Sequence, residues 1–308
     1  MKFKTGRLDA SETPMFLRMA EHIMAQTYDI EYPMYKALQL IPISGEGGPG
    51  ANTITYRQFN SKGIAMIVNN YATDFPNVEV TGLEFSQAVK SVGNSYGYNV
   101  QEIRTADMAG IPLDAMRARA ARDAMTQKLN KLAWFGDTES GLKGLIYHPN
   151  VTKSAATTGT WASATNDQIL TDVNNAIQGP NTLTKGVEMV DTVLLSNAKY
   201  AKLATTPYSA QVPTFLLDIL KAGNPGVLFE RVAELADLPT NPRTGATATT
   251  QVMVTYRRDP MKLFFSMPLA FEQMPPEANG MNWIILCHAR TAGMIIPYPL
   301  SVQITDGI

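Results

Sequence analysis

The stretch ARAARDAMTQKLNKLAWFGDTESGLKGLIYHPNV, Ala118 to Val151, changes character at Phe135-Gly136, and the organisation of the chain follows from that change. Before it, apolar residues recur at helical spacing back to Pro112, which suits the first turn of a helix. After it, Gly136 stands where helices end on a residue free to take positive φ. The pattern predicts a helix over 112–135, roughly 35 Å long at about 1.5 Å per residue. One apolar stripe runs Ala118, Ala121, Met125, Leu129, Leu132, and a second runs Leu113, Met116, Ala120, Ala124. Arg119, Arg122, Thr126 and Asn130 form the polar face between them. Two stripes imply burial on two sides, and the alanines let neighbours come close. Residues 136–151 read as a loop running into a short extended segment.

Working towards the N-terminus, residues 84–98 carry strand signal and residues 38–81 read as one long β-hairpin. Its parts are LQLIPI (Leu38 to Ile43), a turn SGEGGPG (Ser44 to Gly50), the alternating TITYRQF (Thr53 to Phe59) and the apolar run GIAMIV (Gly63 to Val68). A hairpin this long and polar near its glycine tip cannot bury both faces on one small domain, so it is expected to find partners outside the subunit. Residues 1–11 read as a polar arm. Ser11 and Pro14 then open a helix bearing Phe16, Leu17, Ala20, Ile23 and Met24 on one face.

Towards the C-terminus, Thr152 to Thr165 is a polar connection, and Asn166 or Asp167 caps a helix carrying Ile169, Leu170, Val173 and Ile177. Asp191–Ser196 reads as a buried strand, and Asn197–Ala204 and Thr214–Ala222 as helices. Asn241 to Thr250 is a loop. Strands are expected at Gln251–Tyr256, Lys262–Met267, Trp283–Arg290 and Met294–Val302. The fold class is α+β.

Composition narrows the function. Of 308 residues, 26 are basic and 27 acidic, a net charge of −1, which disfavours a module that binds DNA by neutralising phosphates. Charged residues make up only 17%, so the surface costs less to desolvate against other subunits. The single cysteine, Cys287, excludes an internal disulfide and a Cys-rich zinc site, and fits a reducing compartment. With no apolar run of membrane-spanning length and no signal-type segment after the basic start, the protein is expected to be soluble and made in the cytoplasm.

No catalytic, cofactor-binding or metal-binding residues are expected. The string GEGGPG (Gly45 to Gly50) spells a dinucleotide-binding pattern, but that chemistry needs a helix to open at the last glycine, and β-formers follow here. Cys287 and His288 are neighbours in a strand and point to opposite faces, while His22 and His148 stand elsewhere. Arg257 and Arg258 beside Asp259, like Arg117, Lys128 and Lys131, read as surface ion pairs and solvated helix faces. Asn150-Val151-Thr152 matches a glycosylation acceptor with no secretory signal to support it.

The order of these elements resembles the major capsid proteins of tailed bacteriophages, and also the related encapsulins. The resemblance is most specific at Phe135-Gly136-Asp137, followed by Gly141-Leu142-Lys143-Gly144-Leu145 and the turn His148-Pro149-Asn150. Ile64 to Val80 and Arg290 to Ile308 share it. It implies the Hong Kong 97-type fold: an N-terminal arm at 1–37, an extended hairpin loop at 38–81, and a peripheral domain at 82–155 with the spine helix 112–135. An axial domain at 156–261 would follow, with the strands of 262–308 shared between the two domains. The implied function is self-assembly into hexamers and pentamers that close an icosahedral shell around double-stranded DNA, without sequence-specific binding. The implied partners are other copies of the chain and portal, scaffold and decoration proteins. The implied place of assembly is the host cytoplasm, and the implied destination the virion. Candidate contacts between subunits are Gly45, Gly47, Pro49, Tyr56, Arg57, Lys62, Arg117, Arg119 and Arg122. Some relatives crosslink through a hairpin lysine, for which Lys62 is the candidate. Two other readings are a compartment shell enclosing an enzyme and a soluble α+β enzyme.

Overall fold

The computed structural model describes residues 35–67, 76–110, 113–157, 159–236, 238–247 and 251–308. Residues 1–34 of the arm expected at 1–37, with its helix from Ser11, and His22, Val68 and Pro112 lie outside the described residues, while Ala37 is buried in the first core.

The first described helix is a single turn, α1 (Ala37–Leu40), followed by β1 (Ile43–Ser44). Next come β2 (Thr53–Lys62), β3 (Glu79–Ala88) and β4 (Lys90–Asn99). Helices α2 (Val100–Ala109) and α3 (Leu113–Phe135) follow. The middle of the chain supplies β5 (Gly136–Asp137), β6 (Leu142–Lys143), β7 (Thr152–Ala155), α4 (Asn166–Leu183) and β8 (Thr192–Leu195). Then come α5 (Asn197–Thr205), α6 (Leu216–Gly223) and β9 (Leu228–Arg231). The last third is β10 (Val252–Tyr256), β11 (Phe264–Ser266), β12 (Leu269–Gln273), β13 (Glu277–Asn279), β14 (Asn282–Thr291), β15 (Gly293–Ile295) and β16 (Val302–Asp306).

Two sheets organise the body. In the five-stranded sheet the order is β7-β16-β10-β8-β9, and every residue of β8, β10 and β16 is buried. Strand alternation divides these residues between two cores. Val252, Val254, Tyr256, Val302 and Ile304 face a core shared with Met125, Leu129, Ala133 and Trp134 of α3. Val193, Leu195 and Met253 face a second core closed by Ile169, Val173 and Ile177 of α4 and by Leu216 and Leu220 of α6. The second sheet centres on β14, which pairs with β4 over its full length, from Asn282↔Asn99 to Thr291↔Lys90.

The helix expected at 112–135 is present from Leu113, and its first stripe is buried as the spacing requires at Ala121, Met125, Leu129 and Leu132. The second stripe is not buried within the subunit: Met116 is 40% exposed, and Ala120 and Ala124 also face outward. Asn130, expected on the polar face, is buried: its Oδ1 accepts from the amide of Ala37 at 3.0 Å and its Nδ2 donates to Glu234. That contact explains a second departure. Leu38–Leu40, expected in a strand, belongs to α1, whose first turn Asn130 ties to the long helix; Tyr256 donates to the carbonyl of Leu40 at 2.9 Å.

Helix α3 stops at Gly136, which has φ +75°, and a Cβ on Gly144 would run into the backbone of Phe135 and Gly136. The Gly-Leu-Lys-Gly-Leu loop is therefore a tight return of the chain against the helix end, and its own Leu142 and Leu145 are buried. Thr165, not Asn166 or Asp167, caps α4, with Gln168 completing a reciprocal capping box. Part of the polar connection, Thr152–Ala155, is the strand β7, parallel to β16 at the sheet edge.

Candidate functional site

The hairpin exists, but its strands are β2 and β3. They pair antiparallel from Thr53↔Ala88 to Lys62↔Glu79 without a register shift, a ribbon roughly 30 Å long. Glu46 to Gly50 does not form its tip. The glycine run sits at the base, where Gly47 (φ +97°) and Gly48 (φ +68°) reverse the chain between β1 and β2. Arg290 fastens it there, donating to the carbonyl of Pro49 and, at 3.1 Å, to Asn52 Oδ1. The reason for the difference is competition for partners. Ile43–Ser44 pairs in parallel with Phe265–Ser266, and no helix follows Gly50, as the dinucleotide motif would need.

Each strand of the ribbon has the other as its main partner among the described elements. Phe59, Val80 and Leu83 are largely exposed, and so are Ile64, Met66 and Ile67 beyond the last pair, Ile67 being 97% exposed. Gly63–Ile67, expected as a strand, has no regular structure. A β-rich ribbon with apolar residues open on both sides is a surface that a second molecule can bury.

The nine candidate contacts fall into two groups. Gly45, Gly47 and Pro49 are exposed at the ribbon base. On the ribbon, Tyr56 stacks on Phe85 with ring centroids 5.3 Å apart, while burial raises its phenol pKa. Arg57 meets Glu84 across the ladder at 3.3 Å, and Lys62 is exposed at the last pair, opposite Glu79. The other group lies on α3. Arg117 donates to the carbonyl of Gly97 and, at 3.1 Å, to Glu102, holding that carboxyl below its usual pKa. Arg122 stands over the ring of Phe271 at 5.4 Å, and Arg119 is exposed.

A cleft at the ribbon base was not foreseen from the sequence. It encloses about 450 Å³ and is walled by Tyr56 and Phe85 from the ribbon and by Val187, Ile296, Tyr298 and Leu300 from the body. Asn150 and Glu188 also line it. Glu188 is buried; its Oε1 accepts from Lys262 at 2.5 Å, and Arg257 stands 3.8 Å from Oε2. Among the described residues Oε2 accepts no hydrogen bond. Lys262 in turn lies over the ring of Tyr298 at 4.0 Å. The two sides of the cleft meet only in space, so no local motif marks it; Met294–Val302, expected as one strand, is divided between β15 and β16, with Pro297-Tyr298-Pro299 and a helical turn at Pro299–Ser301 between them.

His148 is buried beneath the loop that follows α3, and burial, with Lys143 and Lys153 nearby, lowers its pKa to about 4. Cys287 is buried while His288 points to the other face of β14. Among the described residues, no group of three or more His, Cys, Asp or Glu side chains is placed to hold a metal, and no helix is long and apolar enough to cross a membrane.

Comparison with known proteins gives this geometry a context. A family model described as major capsid protein matches residues 63–308. No curated protein matches the sequence. Among solved structures, the capsid of Myoviridae phage XM1 is similar at 17% identity with a TM-score of 0.82, covering 99% of this chain and 100% of that one. A chain from Mycobacterium phage Bobi aligns at 14% identity and TM-score 0.65, covering 97% of this chain and 98% of its own. The capsid of an empty GTA particle aligns at 10% identity and TM-score 0.67, covering 97% and 99%. At such identities these structures speak for the fold, which is shared over nearly the whole chain.

Proposed function

This chain belongs to the major capsid protein family, as a phage-head shell subunit of the Hong Kong 97-type fold, and from that premise we propose how it assembles. Copies associate as hexamers and pentamers that close an icosahedral head around double-stranded DNA, which is held without sequence-specific contacts. The observation that carries this reading is the ribbon β2–β3, whose apolar side chains stay open in the single subunit. Its burial comes from neighbouring copies, and many modest contacts of this kind add up in a closed shell.

The division of labour we infer is the expected one, with the extended loop moved from 38–81 to the ribbon Thr53–Ala88. Residues 1–37 act as the arm and the hairpin as the extended loop. The chain beyond the ribbon, to residue 155, forms the peripheral domain around α3, and 156–261 the axial domain; the second core, drawn almost entirely from Trp161 to Met253, supports that partition, while Leu194, Val232 and Tyr256 also pack with α3 in the first core. Residues 262–308 serve both. Contacts between subunits involve the ribbon group Gly45, Gly47, Pro49, Tyr56, Arg57 and Lys62, and the helix group Arg117, Arg119 and Arg122. The open second stripe of α3, with Met116, supplies apolar area beside the helix group. Portal, scaffold and decoration proteins are further partners, and assembly takes place in the host cytoplasm. The compartment-shell reading ranks second because the matching family model is that of a capsid protein.

Electron microscopy of the purified protein at high concentration tests the reading. Shells, or hexameric and pentameric rings, are expected; a protein that stays monomeric with and without the other head proteins would overturn it.

A further inference from the structure

We propose that the turn Asn279-Gly280, at the tip of the β13–β14 hairpin, is a site of spontaneous deamidation, where the Asn279 carboxamide is converted to aspartate and isoaspartate. The site stands whether or not the subunit assembles as described above.

The chemistry needs a bare, reachable amide directly after an asparagine. Asn279-Gly280 is the one Asn-Gly step in the chain. Glycine has no side chain to shield its nitrogen, and a Cβ built on Gly280 would meet nothing within 4 Å. All three residues of β13, Asn279 among them, are exposed. Asn279 faces Asn282 in the last pair of the ladder, which leaves Gly280 and Met281 as a two-residue turn. Gly280 has φ +65° and Met281 keeps a negative φ, the arrangement of a type II′ turn. The Gly280 amide therefore lies outside the ladder and is open to water.

The step balances with water as its sole co-reactant. The Gly280 nitrogen gives its proton to solvent and bonds to the side-chain carbonyl carbon of Asn279. The bond from that carbon to the carboxamide nitrogen breaks, and the nitrogen leaves as ammonia after taking up a proton. Water then opens the cyclic imide at either carbonyl. One opening gives aspartate; the other gives isoaspartate, with the main chain running through the former side chain. Nothing is oxidised or reduced.

Ring closure requires Asn279 to leave its extended conformation briefly, so the ease of local opening selects the site. Strand β13 pairs with β14 alone, over three residues, and its outer edge carries no strand among the described residues. A short, exposed edge of this kind opens without disturbing the core. Asn94 is the contrast: it lies within the ten-pair β4–β14 ladder, and its Nδ2 donates to the carbonyl of Ala121 at 2.8 Å. Asn60 is exposed but sits inside the unbroken ribbon, and a serine follows it.

Conversion would be felt at helix α2. The Met281 carbonyl accepts from the amide of Val100, the first residue of α2, at 3.0 Å. Beside it, Asn282 Oδ1 accepts from Nδ2 of the capping residue Asn99 at 3.0 Å. Isoaspartate adds a backbone carbon to the turn that presents these acceptors, and either product sets a carboxylate two residues from Glu277.

The test holds the purified full chain in heavy-oxygen water at mildly alkaline pH and follows its peptides by mass spectrometry. Labelling with an isoaspartyl methyltransferase separates isoaspartate from aspartate. In the folded chain Asn279 is expected to take up heavy oxygen several-fold faster than Asn60 and Asn94, with isoaspartate in excess. Asn279→Gln should remove the label from that peptide, because the larger ring closes more slowly. The denatured chain is the reference: folding should slow Asn279 by a few-fold at most while protecting Asn94 strongly. A folded chain in which Asn279 stays intact, or is protected as strongly as Asn94, overturns the inference. Hydrogen exchange reads the consequence, with faster exchange at Val100 expected in aged wild-type chain and not in aged Asn279→Gln. Equal exchange in the two would reject the tie to α2.

Discussion

The ribbon β2–β3 and the central ladder β10–β16 are built from the same materials and live in opposite surroundings. Both are antiparallel pairs in unbroken register, ten pairs in one and five in the other, and both are rich in Val, Ile, Thr and aromatic residues. In β10–β16 every residue is buried, because helices and the long α3 cover the two faces. In the ribbon, Ile54 and Tyr56 find cover at the base, and beyond Gln58 every residue of both strands out to Gly82 is exposed. Strand chemistry alone therefore does not say whether a ladder is core; the difference lies in who supplies the second layer. For β10–β16 the same chain supplies it; for the outer ribbon no described element does, and on the proposed reading another copy would.

That contrast can be broken at three points. Phe265, fully buried in the core beneath β10 and β16, is a test of the self-sufficient side. Phe265→Ala should lower stability by about 3–5 kcal/mol, seen as a large drop in the denaturant midpoint of the free subunit. A midpoint that hardly moves would mean that the first core does not hold the body together. Next in size is His148. Its folded pKa of about 4 lies below the usual 6.5, so folding favours the neutral ring. Above pH 6.5 both states are neutral and the site adds no penalty. As pH falls from 6.5 to about 4 the unfolded chain takes up the proton and the folded one does not, so stability falls, by up to roughly 3 kcal/mol. His148→Gln should flatten that part of the stability–pH curve; an unchanged slope would place the acid sensitivity elsewhere.

The smallest expected change in subunit stability is on the ribbon. Leu83 is exposed, so Leu83→Ser should alter subunit stability by no more than about 0.5 kcal/mol, while the yield of particles falls clearly. Loss of subunit stability on the same scale as at Phe265 would erase the distinction between the two ladders.

Legibility in the sequence follows the same division. The long helix, the strands 192–195, 252–256 and 282–291, and the helix end at Gly136 were readable because local pattern and tertiary burial agree there. The ribbon was readable as a ribbon, but its ends were not. The glycine run looked like the tip because turn chemistry is visible locally, whereas the pairing of Thr53 with Ala88 is not. Leu38–Leu40 went to a helical turn because Asn130, 93 residues away from Ala37, takes that turn's first amide. Helix α2 was missed because its apolar stripe is short, Val100, Ile103 and Ala106, and only half-buried, with no residue fully buried. Its signal was the capping box Asn99 and Glu102 with Gly110 in the left-handed region at its end. Of the site, the residue types of the ribbon were legible; the cleft was not, because Tyr56, Glu188 and Tyr298 come together only when three distant segments fold.

The position of β16 has a consequence for synthesis. It lies inside the five-stranded sheet, between β7 and β10, so Val302–Asp306 must arrive before that layer can close. Ribbon and spine helix leave the ribosome some two hundred residues earlier, with their greasy surfaces already made and the platform beneath them unfinished. The nascent chain thus passes through an interval in which it can stick before it can fold, and crowded polysomes making this protein are where chaperone demand would peak.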